Sequence, residues 1–129
     1  MNLNDTYSKS FIVTEDIYNG FIGIFNDHNI LHTNEEYAKE KGFKSKVMHG
    51  NILNGFISYF IGECLPKKEV IIHSQEIQFK NPVYLNDELN FNAKIVGIYE
   101  SVNAIEFKYT FQNQLSKTVA KGKIQIGII

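Results

Sequence analysis

The stretch "NILNGFISYFIGECL", residues 51–65, decides the fold. Ile52, Leu53, Phe56, Ile57, Phe60 and Ile61 recur at helical spacing and cover one broad side, which predicts a helix buried over most of its surface. A helix that apolar needs other layers around it. Downstream, the pattern changes period. Residues 69–83 ("EVIIHSQEIQFKNPV"), 87–99 ("DELNFNAKIVGIY"), 103–113 ("NAIEFKYTFQN") and 117–129 ("KTVAKGKIQIGII") are long and β-branched or alternating, with polar turns such as "YLND" and "NQLS" between them. In "IEFKYTF", Ile105, Phe107, Tyr109 and Phe111 share one face, and Glu106, Lys108 and Thr110 share the other. That alternation fits a sheet packed on one side and wetter on the other. One buried helix followed by a long antiparallel meander gives an α+β fold with the helix wrapped by the sheet.

Upstream, a short extended piece, "SFIV", leads to Thr14, an N-cap candidate followed by Glu15 and Asp16, whose charges suit a helix N-terminus. Ile17, Phe21, Ile24 and Phe25 at helical spacing predict that this helix buries one face. "TNEEYAKEKG", residues 33–42, repeats the pattern in miniature. Thr33 or Asn34 caps it, Glu35 and Glu36 follow, and Gly42 supplies the left-handed C-terminal position. The segment between these two helices reads as a loop.

A chain of 129 residues, 43% hydrophobic and 21% charged, is the size of one ordinary globular domain, here residues 1–129. Its net charge of −1 gives no electrostatic reason to expect nucleic acid or an anionic membrane. All 13 basic residues are lysines, so a phosphate would have to be held by point charges or backbone N–H groups rather than a guanidinium fork. A lone Cys64 forms no intramolecular disulfide, the N-terminal "MNLNDTYSKS" is polar, and no apolar run reaches the ~18 residues of a membrane span. These features predict a cytoplasmic protein.

In the loop, Asp27, Asn29 and His32 follow the spacing D-x-N-x-x-H. From the residues alone they are either ordinary loop and capping groups or a pair that shares a water molecule. The carboxylate would accept one of its protons, and the imidazole donates or accepts near neutral pH. Such a pair could add water to, or remove it from, an activated carbon chain. Gly50 heads the buried helix, where free N–H groups and the positive end of the dipole could hold an oxygen that gains negative charge.

The span "FNDHNILHTNEEYAKEKGFKSKVMHGNIL", residues 25–53, resembles the hydratase signature of MaoC-like dehydratases, the (R)-specific enoyl-CoA hydratases of the hotdog fold. The family pattern reads D-x-N-P-[IL]-H-x-D, then A-x-x-x-G-F, then [VM]-H-G and a long apolar helix. Here these appear as "DHNILHTN", "YAKEKGF" and "MHG". Ser58, "GECLP" and "IQFKNPVYLNDEL" follow at family-like spacing. The resemblance implies a single hotdog domain and a catalytic dyad of Asp27 and His32. The dyad would activate water against the β-carbon of a trans-2-enoyl thioester to give an (R)-3-hydroxyacyl thioester, reversibly. It implies that Gly50 polarises the thioester carbonyl and that Asn29 and Ser58 support or line the pocket. His49 joins this substrate-side set, orienting the loop before the helix rather than transferring protons. The resemblance also implies at least a homodimer with the thioester entering at the interface. The substrate would be carried on CoA or an acyl carrier protein, with no separate cofactor. Three positions depart from the pattern: Ile30 replaces the proline, Asn34 the second aspartate, and Asn86 the glycine of a later turn.

His28 reads as solvent-facing, His73 as structural and Cys64 as a small packed side chain. No metal site is expected, because His28 and His32, although spaced i, i+4, fall in a loop. The "KEKGFKSK" run is a solvated face or a contact for CoA phosphates or an acidic carrier protein. The competing functions are a hotdog thioesterase, since one fold hosts both chemistries, and a non-catalytic acyl-thioester-binding subunit. The D-x-N-x-x-H arrangement argues against both. Glu63, the only carboxylate on the long helix, stands far from the Gly50 dipole.

Overall fold

A computed structural model describes all of residues 1–129. Strand β1 (Thr6–Ile12) is followed by helices α1 (Glu15–Phe25), α2 (Ile30–Thr33), α3 (Glu35–Glu40) and α4 (Asn51–Tyr59). A π-helical turn, Phe60–Cys64, extends α4, and the helical geometry stops at Leu65, the residue before Pro66. Strands β2 (Val70–Phe79), β3 (Glu88–Tyr99), β4 (Ala104–Gln112) and β5 (Thr118–Ile128) complete the chain.

The strands form one sheet in the order β1-β3-β4-β5-β2, each antiparallel to its neighbours. The meander is therefore β3–β4–β5 alone. β2 crosses to the far edge beside β5, and β1 flanks β3. Residues 80–87, with Pro82 inside, are too many for the tight turn that would pair β2 with β3. They cross instead beneath the head of α4, where Met48 N–H donates to Val83 O at 2.8 Å. At their end Asn86 takes φ 68°, a left-handed value that asparagine tolerates. Asp87 is buried there, accepting from Tyr84 N and from Gln114 Nε2 at 2.9 Å each.

The predicted core helix packs as its pattern requires. Ile52, Leu53, Phe56, Ile57, Phe60 and Ile61 are all buried against the inner face of the sheet, where Phe91, Phe107, Tyr109 and Phe111 are also buried. Rings interlock between the two layers; Phe60 meets Phe91 at 4.8 Å between centroids. This helix wrapped by an antiparallel sheet is the hotdog arrangement. No helix is long and apolar enough to cross a membrane.

Thr14 caps α1, accepting from Ile17 N at 3.2 Å, and Gly42 takes φ 93° after α3, both as the pattern predicts. The buried face of α1 does not follow its pattern. Only Tyr18 is buried, while Ile24 and Phe25 are 74% and 66% exposed. Ile17 and Phe21 pack against the edge of the core, half-buried, while Ile24 and Phe25 line an open groove.

Candidate active site

The local chain from Asp27 to Asn34 is built by side chains satisfying nearby backbone. Asn26 (φ 57°) closes α1 in the left-handed region. Asp27 Oδ1 then accepts from Asn29 N at 3.1 Å, and Asn29 Oδ1 accepts from Leu31 N at 3.0 Å. Asn29 is thus the N-cap of α2, a single helical turn where the pattern predicted only loop. The difference is one of length: a four-residue turn carries no hydrophobic periodicity, and only its cap marks it. Asn34 ends α2 and caps α3, accepting from Tyr37 N at 2.9 Å.

This turn presents His32. Its backbone is held by Tyr18, whose hydroxyl donates to His32 O at 2.6 Å, and by Val47 N–H donating to Leu31 O at 3.1 Å. Its ring donates from Nδ1 to Val47 O at 2.7 Å. Since a carbonyl only accepts, the proton sits on Nδ1 and Nε2 of the neutral ring is left as a base.

His49 is buried between the loop and the helix. Its Nε2–H donates to Asp27 O at 2.9 Å, and its ring lies 4.0 Å from that of His32 and 4.7 Å from that of Phe21. Its Nδ1 is buried with no hydrogen-bond partner. Burial pushes the His49 imidazole below the ordinary value of 6.5; the bond to the Asp27 carbonyl opposes this and the neighbouring His32 adds to it. A neutral His49 keeps positive charge away from His32. One side-chain ligating atom each from Asp27, His32 and His49 lies within 4.8 Å of the others. As a ligand set the trio fits poorly: one nitrogen of His49 donates to a carbonyl and the other has no free approach.

Two cavities flank this cluster and meet at Asn51. One of about 400 Å³ is lined by His32, Gly50, Asn51, Phe79 and Lys80. The other, about 770 Å³, lies between α1 and α4 and is lined by Ile17, Phe21, Ile24, Phe25, Asp27 and Asn51, among others. Gly50, at the head of α4, makes no backbone hydrogen bond through its own N–H. The Phe79 ring packs so closely on Gly50 that a Cβ there would sit 2.8 Å from it. A side chain at this point would have to push the half-exposed Phe79 ring aside.

Asp27, His32 and Gly50 therefore line these cavities, while Asn29 and His49 line neither and hold the loop behind them. Ser58 is exposed on α4 and lines neither cavity. His28 is exposed ahead of α2, and His73 is exposed on β2, packed over Gly127. Cys64 is half-buried and Glu63 exposed at the far end of the helix. In the basic run, Lys46 Nζ lies 4.4 Å over the Tyr18 ring. Residue patterns alone missed Phe79 and Asn51. Phe79 sits within "IQFKNPV", at the end of β2, and nothing in that motif says it returns to Gly50.

Comparison with known proteins bears on the family and the fold. The family described as MaoC like domain matches residues 5–119. An (R)-specific enoyl-CoA hydratase of Rhodospirillum rubrum is 34% identical over 99 residues, 77% of this chain and 68% of that protein. A mitochondrial 3-hydroxyacyl-[acyl-carrier-protein] dehydratase of Arabidopsis thaliana is 22% identical, covering 95% of this chain and 75% of its own. The solved structure of an (R)-hydratase from A. caviae superposes with a TM-score of 0.91 at 21% identity, covering 100% of this chain and 98% of that one, which shows the shared fold. The chain belongs to the MaoC-like dehydratase family.

Proposed function

We propose that the protein is a hydro-lyase that reversibly hydrates trans-2-enoyl thioesters to (R)-3-hydroxyacyl thioesters, with Asp27 and His32 activating the water. The observation that carries this reading is the approach of an Asp27 carboxylate oxygen to within 4.8 Å of a His32 ring nitrogen, beside a glycine whose N–H is free. Water held between the two gives one proton to His32 Nε2 while Asp27 accepts a hydrogen bond from the other. The water oxygen bonds to the β-carbon, and the π electrons move through the α-carbon onto the thioester oxygen. The Gly50 N–H, at the positive end of α4, meets that developing charge. The enolate then collapses, taking at its α-carbon the proton that His32 holds, and the dyad returns to its starting state. The names of the relatives support both a CoA and a carrier-protein thioester as the substrate. No separate cofactor enters this chemistry.

The assembly is at least a homodimer. β2 is an unpaired edge carrying the half-exposed Ile71 and Phe79, and Ile24 and Phe25 of α1 stand open beside the site. The experiment is product analysis after incubation with crotonyl-CoA. Accumulation of (R)-3-hydroxybutyryl-CoA without free thiol supports the hydro-lyase. Release of free CoA thiol would replace it with a thioesterase, and an unchanged substrate with a non-catalytic binding subunit.

A further inference from the structure

We infer that Asn51 is a catalytic residue of this site, its side-chain amide a second donor to the substrate's thioester oxygen beside the Gly50 N–H; this rests on the hydration reading above. Asn51 is the first residue of α4 and lines both cavities, the one that His32 lines and the one that Asp27 lines. A substrate whose β-carbon meets both members of the dyad therefore crosses Asn51. Its carboxamide makes one hydrogen bond, through the oxygen. Asn54 Nδ2, one helical turn on, donates to Asn51 Oδ1 at 2.8 Å, and Gln75 Nε2, from the edge strand β2, donates to Asn54 Oδ1. With Oδ1 engaged, the group that Asn51 has left to offer a ligand is its Nδ2 amino group, a donor without an acceptor in the protein.

Such a donor suits the reaction. Negative charge grows on the thioester oxygen only as water adds, so a fixed N–H aimed there favours the transition state over the ground state. Asn54 and Gln75 are positioning residues, since they act only through Asn51. The chain also ties the donor to β2, the strand that brings Phe79 over Gly50.

Two variants separate this role from a structural one. Asn51→Leu keeps the branched shape and removes the donor. Asn51→Asp puts a negative charge in the first turn of α4, which favours the helix, while it repels an oxyanion. The readouts are crotonyl-CoA hydration kinetics and the absorbance of bound 2,4-hexadienoyl-CoA in an Asp27→Asn background, where the ligand persists. Polarisation of the conjugated carbonyl moves that band to longer wavelength. The expected result is a kcat lower by about 10²-fold for both variants with little change in KM. The red shift should shrink markedly in both, since only the Gly50 N–H remains, and shrink less in Gln75→Leu, while Asn51→Asp melts no lower than wild type. Wild-type kcat and an undiminished red shift in Asn51→Leu, with Asp27→Ala and His32→Ala inactive, would overturn the role of Asn51 and leave the hydratase standing. A wild-type protein inert toward enoyl thioesters would overturn both.

Discussion

The His49 imidazole donates from Nε2 to the carbonyl oxygen of Asp27 at 2.9 Å while its ring lies 4.0 Å from that of His32. One buried side chain thus holds the backbone of one dyad member and the ring of the other. His49→Phe keeps most of the ring packing and removes the hydrogen bond. Its cost in stability is set at about 1 kcal/mol by the lost bond. Its cost in kcat is larger, about 10²-fold, because the loop carrying Asp27 is no longer fixed. Steady-state kinetics beside thermal melts check this, and a kcat in His49→Phe equal to that of wild type would count against it.

His49 also sets a pH dependence of stability. Burial lowers its pKa in the folded state below the 6.5 of an ordinary histidine. Between that lowered value and 6.5 the unfolded chain binds a proton that the folded one refuses, so stability falls as pH drops through this window and levels off below it. Melting temperatures measured from pH 8 down to pH 5 should show this decline in wild type. In His49→Phe the slope should be shallower across the same range.

Ile30 stands where the family pattern has proline, and the structure can accept the change. It is the first residue of α2, its N–H makes no hydrogen bond, and Asn29 before it has φ −49° and ψ 134°, a conformation compatible with a following proline. Ile30→Pro should raise stability by about 0.5–1 kcal/mol, through lost freedom of the unfolded chain, with the activity retained. Chemical denaturation measures it; a destabilised protein would show that this turn is held differently.

Gly122 lies where β5 passes between β2 and β4. A Cβ there would sit 1.9 Å from Glu76 O and 2.6 Å from the Tyr109 hydroxyl, which donates to that same carbonyl at 2.7 Å. The contact is with backbone, which cannot turn aside. Gly122→Ala should therefore cost about 3 kcal/mol and loosen β2 from the sheet. Amide hydrogen exchange faster in residues 70–79 than in β3 and β4 would locate the damage.

Much of this architecture was legible in residue patterns, because periodicity reports burial directly. The α4 stripe and the alternation of Ile105, Phe107, Tyr109 and Phe111 needed no tertiary knowledge. The position of β2 did, since pairing with β5 rather than β3 depends on where residues 80–87 cross. The stripe of α1 misled for the opposite reason: Ile24 and Phe25 are apolar at helical spacing but face a groove, and periodicity does not distinguish a core from an open cavity. Around the site, D-x-N-x-x-H and "MHG" identified the loop and the helix head. The contact of Phe79 with Gly50 and the amide chain from Gln75 to Asn51 join residues far apart in sequence, and no local spacing encodes them.

The most direct test of the central claim is the initial rate of crotonyl-CoA hydration, followed as loss of enoyl-thioester absorbance, for wild type, Asp27→Ala and His32→Ala under matched folding controls. Water activation by this pair predicts clear wild-type turnover and a loss of orders of magnitude in each variant. Turnover that survives either substitution would contradict it.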